Sequence, residues 1–215
     1  MAVDSKVFDV GLQTWRALAE IRAGPPALKA GPSGERDNGN GSLMRVLPLA
    51  LWHQGDDAAL ARDAMLQSRV THGHMRAQVC CALYCLWARR TLEGSADAWM
   101  DAVVTFRALY PEGLEQREEL EWAVRPDSPV PGRGSGYVVD CLRSARDCFA
   151  RGPYERVVKA AISLGHDTDT TAAVAGGIAG LRDGLQAIPE RWRGALRGRE
   201  LVEPMLEKLL VGQSR

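Results

Sequence analysis

The chain has 215 residues, with 27 Lys+Arg against 27 Asp+Glu, 46% hydrophobic and 25% charged residues. That balance describes a folded globular chain with a real core. It excludes disorder and the basic excess of a nucleic-acid or anionic-membrane binder. Apolar runs such as Val46–Trp52 are too short to span a bilayer, and Asp4, Lys6 and Asp9 interrupt any signal-like start. Five cysteines without a Cys-x-x-Cys pair read as reduced thiols, so a cytoplasmic location is expected.

Helical periodicity recurs along the chain, and no stretch alternates with period two. Val7, Val10, Trp15, Leu18 and Ile21 predict an amphipathic helix over Val7–Arg22, ended by a Gly/Pro-rich loop over Gly24–Gly34. Ser42–His53 reads as a buried helix with Pro48 near its first turn. Gly55-Asp56-Asp57 supplies a carboxylate cap for a helix over Ala58–Arg69. Met75–Arg90 is apolar almost all round, so it is expected at the centre of the fold, with Cys80, Cys81 and Cys85 buried and inert. Ala96–Tyr110 follows, and Glu115–Glu121 reads as a solvated acidic face. Pro126–Gly136, with three prolines and three glycines, is a loop. Further helices are predicted over Tyr137–Ala150, Tyr154–Leu164, Thr168–Arg182, Glu190–Gly194 and Glu200–Leu210. The expected fold is an all-α domain of about ten helices.

Four segments could carry chemistry. In Gly165-His166-Asp167-Thr168-Asp169-Thr170-Thr171, two carboxylates and a threonine hydroxyl stand at a helix mouth. An all-oxygen set from Asp167, Asp169 and Thr170 suits a hard cation, Mg²⁺ first and Mn²⁺ second. The plain alternative is capping, since Asp and Thr favour helix starts. One cap needs one carboxylate, and this segment has two. The following helix is rich in Ala and Gly, including Gly176, Gly177 and Gly180. Close helix packing is the first explanation for most of these positions.

The second segment, Asn38-Gly39-Asn40-Gly41-Ser42, opens into a helix with free backbone N–H groups, a cradle for phosphate or a plain turn. Arg45, one turn on, is a phosphate ligand or a structural arginine. The third, Thr71-His72-Gly73-His74, lacks a third ligand for zinc, so His72 either meets a ligand or is a hydrogen-bonded structural histidine. In the fourth, Gly134-Ser135-Gly136-Tyr137, the tyrosine either stacks on a base or joins the core. Asp56-Asp57 reads as a structural cap, and Arg191, Arg193, Arg197 and Arg199 as a solvated face beside Glu190 and Glu200.

In this order the segments resemble the ADP-ribosylglycohydrolase family. The resemblance rests on Asn38–Arg45 with Pro48–Leu51, Thr71-His72, Gly136–Asp140, Gly165–Ala173 with Ala175–Gly180, and Ile188-Pro189 before Trp192. It covers roughly residues 36–210. It implies a single all-α, orthogonal multi-helix domain and Mg²⁺-dependent cleavage of the ribose C1″ bond of ADP-ribosylated proteins or small molecules. It also implies Asp167, Asp169 and Thr170 as metal ligands and the Asn38–Ser42 loop on the diphosphate and ribose. His72 would lie near the substrate and Tyr137 beside the adenine. The family's amino-terminal Gly-Asp-Ala-x-Gly and Thr/Ser-Asp-Asp-Thr motifs have no counterpart here, and His166 stands where a small residue is usual. The chain therefore reads as an amino-terminally truncated domain with the catalytic acidic residue unassigned. An impaired ADP-ribose-binding module, or a fragment completed by a partner, is the alternative to an active hydrolase. Self-association is expected from the small-residue helix at Thr168–Arg182 lacking a neighbour.

Overall fold

The computed structural model describes residues 2–3, 6–7, 9–128 and 130–212. Eleven α-helices and a two-residue antiparallel pair, Ala2–Val3 with Lys6–Val7, make up the described residues, with short 3₁₀ turns at Ala27–Lys29 and Leu185–Ala187.

Helix α1 spans Leu12–Ala23 and stops at Gly24, whose φ of 114° is open to glycine. It starts later than its apolar spacing predicts: Val7 belongs to the antiparallel pair and Gly11 occupies the N-cap. Helix α2 covers only Leu47–Trp52. Pro48 accounts for the shortening, because its ring cannot follow a preceding helical turn. Residues 40–44 instead form a tight turn, with the Leu43 and Met44 N–H groups donating to Asn40 O at 2.9 and 3.1 Å. Helix α3 (Asp57–Arg69) begins as read: Asp56 Oδ1 accepts from Ala59 N at 2.8 Å. Asp57 pairs with Arg89 and Arg90, so this acidic doublet is structural.

Helix α4 (Met75–Leu92) is the axis of the molecule. Every residue from Arg76 to Ala88 is buried, which requires neighbours on all sides. They are α2, α3, α5 (Ala98–Leu109), α6 (Glu115–Glu119), α7 (Val138–Phe149) and α9 (Thr168–Asp183). Trp87 meets Trp99 and Phe149 edge-on, with centroids 5.2 and 5.3 Å apart. All five cysteines are buried and free. The acidic α6 runs into a π-type turn, Leu120–Val124, and is not wholly solvated: Glu119 turns inward onto Arg76.

Helix α8 (Tyr154–Ser163) packs on α9. The glycines of α9 permit that approach. A Cβ on Gly176 would stand 3.2 Å from Val158, and one on Gly177 would fall 2.7 Å from Leu47 Cδ2 and 2.9 Å from Tyr84 Oη. So α9 has neighbours in α4, α7 and α8, and only the strip around Ala173, Gly177 and Gly180 faces a shallow groove. Helices α10 (Glu190–Ala195) and α11 (Arg199–Gly212) close the chain. Arg191 pairs with Glu155 and Arg199 with Glu203, as a solvated face requires. No described helix is long and apolar enough to cross a membrane.

Candidate functional site

Three loops converge at one end of α4, and backbone hydrogen bonds join them. Asn40 N donates to Gly136 O at 3.0 Å and Val138 N to Asn38 O at 2.9 Å, so Gly39 and Tyr137 pair as an antiparallel bridge. Asp167 N donates to Gly134 O at 2.9 Å. Segments about 100 and 130 residues apart in sequence, 38–42, 134–137 and 165–170, thereby share one surface.

The loop at 132–136 is held by α7. Asp140 accepts from Arg133 N, Ser135 N and Ser135 Oγ at 2.9, 2.7 and 2.8 Å. Gly132 N donates to Asp147 and Gly134 N to Ser144 Oγ. Gly134 has a φ of +73°, and a Cβ there would press on Leu164 at 2.8 Å. Only glycine meets both conditions.

Asp167 occupies the N-cap of α9, yet its side chain accepts no hydrogen bond from the helix. Its Oδ2 accepts from Asn40 Nδ2 at 2.8 Å instead. Capping therefore does not account for this carboxylate. Asp169, in the first turn of α9, is exposed, and its side chain makes no hydrogen bond or ion pair among the described residues. Thr170 is buried, with Oγ1 3.8 Å from Met44 Sδ. His166 adopts a φ of 57°, which orients the turn that delivers Asp167. Among the described residues there is no cluster of three or more His, Cys, Asp or Glu side chains suited to a metal.

The 38–42 loop turns the side chains of Asn38, Asn40 and Ser42 inward. Asn38 is buried and donates to Glu35 O, while its Oδ1 has no partner among the described residues. Gly39 N donates to Gln13 Oε1 at 2.7 Å. Ser42 is fully buried and accepts from Ser68 Oγ at 2.9 Å, so it faces the core. His72 is 3% exposed and lies beneath the loop, where a Cβ on Gly41 would meet its ring at 2.9 Å. Its Nδ1 pairs with Thr71 Oγ1 at 2.8 Å. Burial, with Arg45 nearby, lowers its pKa to about 4, so the ring is neutral near pH 7. Arg45 is tied to Gln67 Oε1 and Gln67 O at 3.0 and 2.8 Å, the structural one of its two readings.

Tyr137 is 40% exposed, and its hydroxyl accepts from Arg76 Nη1 at 3.3 Å. Arg76 in turn grips Glu119 through Nε and Nη2, at 2.8 and 3.3 Å. The Tyr137 side chain is thus partly exposed, with its hydroxyl fixed. The structure brings Asn38, Gly39, Asn40, Gly41, Tyr137, Asp167, Asp169 and Thr170 to one surface, with Ser42 and His72 directly behind it. Gln13, Arg76 and Glu119 were not legible as site residues: each is an ordinary polar residue on a helix. Asp140 had a signal, since it closes the Gly136–Asp140 segment.

A family model, ADP-ribosylglycohydrolase, matches residues 1–215. The chain belongs to the ADP-ribosylglycohydrolase family. It is 28% identical over 213 residues to the ADP-ribosylarginine hydrolase Tri1 of Pseudomonas putida, covering 97% of this chain and 55% of that protein. It is 27% identical over 187 residues to human ADP-ribosylhydrolase ARH3, covering 79% and 46%. The chain thus spans about half the length of the curated relatives it matches. A solved structure titled ADP-ribosylglycohydrolase-related protein complex superposes with a TM-score of 0.75 at 34% identity, covering 93% of this chain and 68% of that one. The all-α architecture is therefore that of the family. Hydrolysis of ADP-ribose-linked substrates is the family's chemistry.

Proposed function

We propose that this chain carries the ADP-ribose-recognising part of a Mg²⁺-assisted glycohydrolase that cleaves the ribose C1″ bond. The observation that carries the reading is the Asp167 carboxylate, released from capping and held by Asn40 at the meeting point of three loops. Helix formation gives no reason for this orientation of the part-buried carboxylate.

The donor set fits a hard cation in kind. Asp167 has Oδ1 unengaged among the described residues, Asp169 has no competing partner, and Thr170 adds a hydroxyl. Asp167, Asp169 and Thr170 would hold one Mg²⁺, or Mn²⁺ in its place, with water completing the coordination. Such an ion supplies Lewis acidity toward ribose hydroxyls and bound water. The rest of the work falls to the chain itself. The N–H groups of Gly39 and Asn40 are engaged within the chain, which leaves that of Gly41, without an acceptor among the described residues, to donate to a diphosphate oxygen, with an uncharged His72 supporting the loop from below and Ser42 anchoring it to the core. Tyr137, partly exposed and with its hydroxyl fixed by Arg76, is placed to stack on the adenine. The rigid 132–136 loop keeps both ends of the ligand in register, so orientation is built in before binding. Departure of the acceptor from C1″ leaves an oxocarbenium-like sugar that water captures.

A binding-only module is the second reading. It is favoured because no three His, Cys, Asp or Glu side chains among the described residues are grouped so as to hold a metal ion. Calorimetric titration with ADP-ribose, with and without Mg²⁺, separates the two. Binding that requires Mg²⁺ and weakens in Asp169→Ala supports the proposal. Equal binding without the ion supports the module, and no binding under either condition overturns both.

A further inference from the structure

A cleft of about 1270 Å³ is lined by residues of α4, α5, α7, α8 and α9 together with Ser128, Val130, Pro131 and Gly132. Five arginines line it, Arg143, Arg146, Arg151, Arg156 and Arg182, against two aspartates, Asp97 and Asp147. In a chain of net charge zero this is a concentrated positive surface. It is also weakly neutralised. Arg143 donates to the carbonyls of Ala123 and Val124, and Arg146 to that of Pro126. Of the five, only Arg182 has a carboxylate partner, Asp183, in the described residues. Arg151 and Arg156 are exposed, and their side chains make no hydrogen bond or ion pair among the described residues. Elsewhere the chain pairs its arginines routinely, as at Arg76, Arg89, Arg90, Arg107 and Arg117.

The guanidinium groups are also held in place. Arg146 lies 4.7 Å from the centroid of Trp99 and Arg182 4.2 Å from that of Phe149, while Trp87 braces both rings from below. Stacking of this kind fixes the planar fork and leaves its outer N–H groups for an acceptor. The indole N–H of Trp99, buried in the wall, has no acceptor among the described residues.

Size and lining decide the class of ligand. Small-molecule sites occupy about 300–1,000 Å³, so this cleft takes an extended segment in preference to a single small anion. Between the arginines stand apolar surfaces from Met100, Val130, Pro131 and Leu164, which a phosphate chain would leave uncompensated. The backbone N–H groups that would serve a phosphate are already taken by carboxylates: Met100 N by Asp97 and Gly132 N by Asp147. We infer that this cleft is a docking site for an acidic peptide segment of a partner protein, its carboxylates on the arginines and its apolar side chains on the lining between them. The inference does not depend on hydrolysis at the candidate site.

The test uses the full chain and a fluorescently labelled copolymer of glutamate and tyrosine, followed by anisotropy at low salt, with inorganic polyphosphate as competitor. Saturable binding is expected. The double variant Arg151→Glu/Arg156→Glu, both exposed positions, should weaken it on the order of tenfold or more. Asp167→Ala, in the other site, should leave it unchanged. Absence of saturable binding overturns the inference. So does unchanged affinity in the double variant, and so does displacement by polyphosphate at lower charge concentration than by unlabelled copolymer.

Discussion

Asn40 Nδ2 and Asp167 Oδ2 stand 2.8 Å apart across 127 residues of sequence. This bond ties the loop that would hold diphosphate to the carboxylate that would hold a cation. Asn40→Ala should cost about 1.5–3 kcal/mol of stability, the usual loss for a hydrogen bond to a charged group. It should also weaken Mg²⁺-dependent ADP-ribose binding. Urea unfolding and calorimetry read the two effects separately. A stability loss with unchanged binding would reduce the bond to a structural one.

Asp169 and Asp56 make a controlled comparison. The Asp169 side chain has no partner among the described residues, whereas Asp56 caps α3 through Ala59 N. Asp56→Ala should lower stability by about 1 kcal/mol and leave ligand binding intact. Asp169→Ala should do the reverse. Equal effects on binding would remove the ligand assignment.

The pH dependence of stability should carry the mark of His72. Its folded pKa is about 4, below the ordinary histidine value near 6.5, because burial disfavours the charged ring. The unfolded chain therefore binds the proton first as pH falls. Stability is full above about pH 6.5 and declines through the window down to about pH 4, by about 3 kcal/mol at most. In His72→Gln this part of the slope should vanish when unfolding free energy is measured between pH 7 and 4.

Two glycines of α9 should answer the same substitution with opposite signs. At Gly177 a methyl group would collide with Leu47 and Tyr84, so Gly177→Ala should destabilise by about 1–3 kcal/mol despite the better helix former. At Gly180 the nearest atom is Tyr154 Cε2 at 3.7 Å, an ordinary contact. Gly180→Ala should stabilise by about 0.5–1 kcal/mol. Thermal unfolding of the two variants checks both signs.

Self-association is expected from a different place than the sequence suggests. Helix α9 is packed on three neighbours, but α11 exposes Leu201, Met205, Leu206 and Leu210, and α1 exposes Leu12, Trp15 and Leu18. Apolar patches of this kind associate. Light scattering should show mass rising with concentration, and Leu206→Glu should reduce the rise.

Much of the fold was legible because burial follows periodicity. The all-round apolar α4 had to be central, and Asp56 had to cap α3. Boundaries failed where a local constraint outweighed the pattern: Pro48 shortened α2, and the pairing of Lys6–Val7 delayed α1. At the site, the loops rich in Gly, Asn and Asp announced themselves, since turn chemistry and spare carboxylates are local properties. What no local pattern carries is direction. Nothing in Ser42 or His72 says that it lies behind its loop, and nothing in Gln13, Arg76 or Glu119 says that it braces one. Those facts arise only when distant segments meet.

The Asp140 carboxylate receives two backbone N–H groups and a hydroxyl from a single three-residue stretch, 133–135. A turn fastened so completely does not wait for a ligand to acquire its shape. Association at this surface should then be a single fast phase, limited by encounter, with little ordering entropy to lose. Loosening the fastening by Asp140→Asn should leave the contacts available but introduce a slow step before them, visible in stopped-flow records as a rate that no longer rises in proportion to ligand concentration.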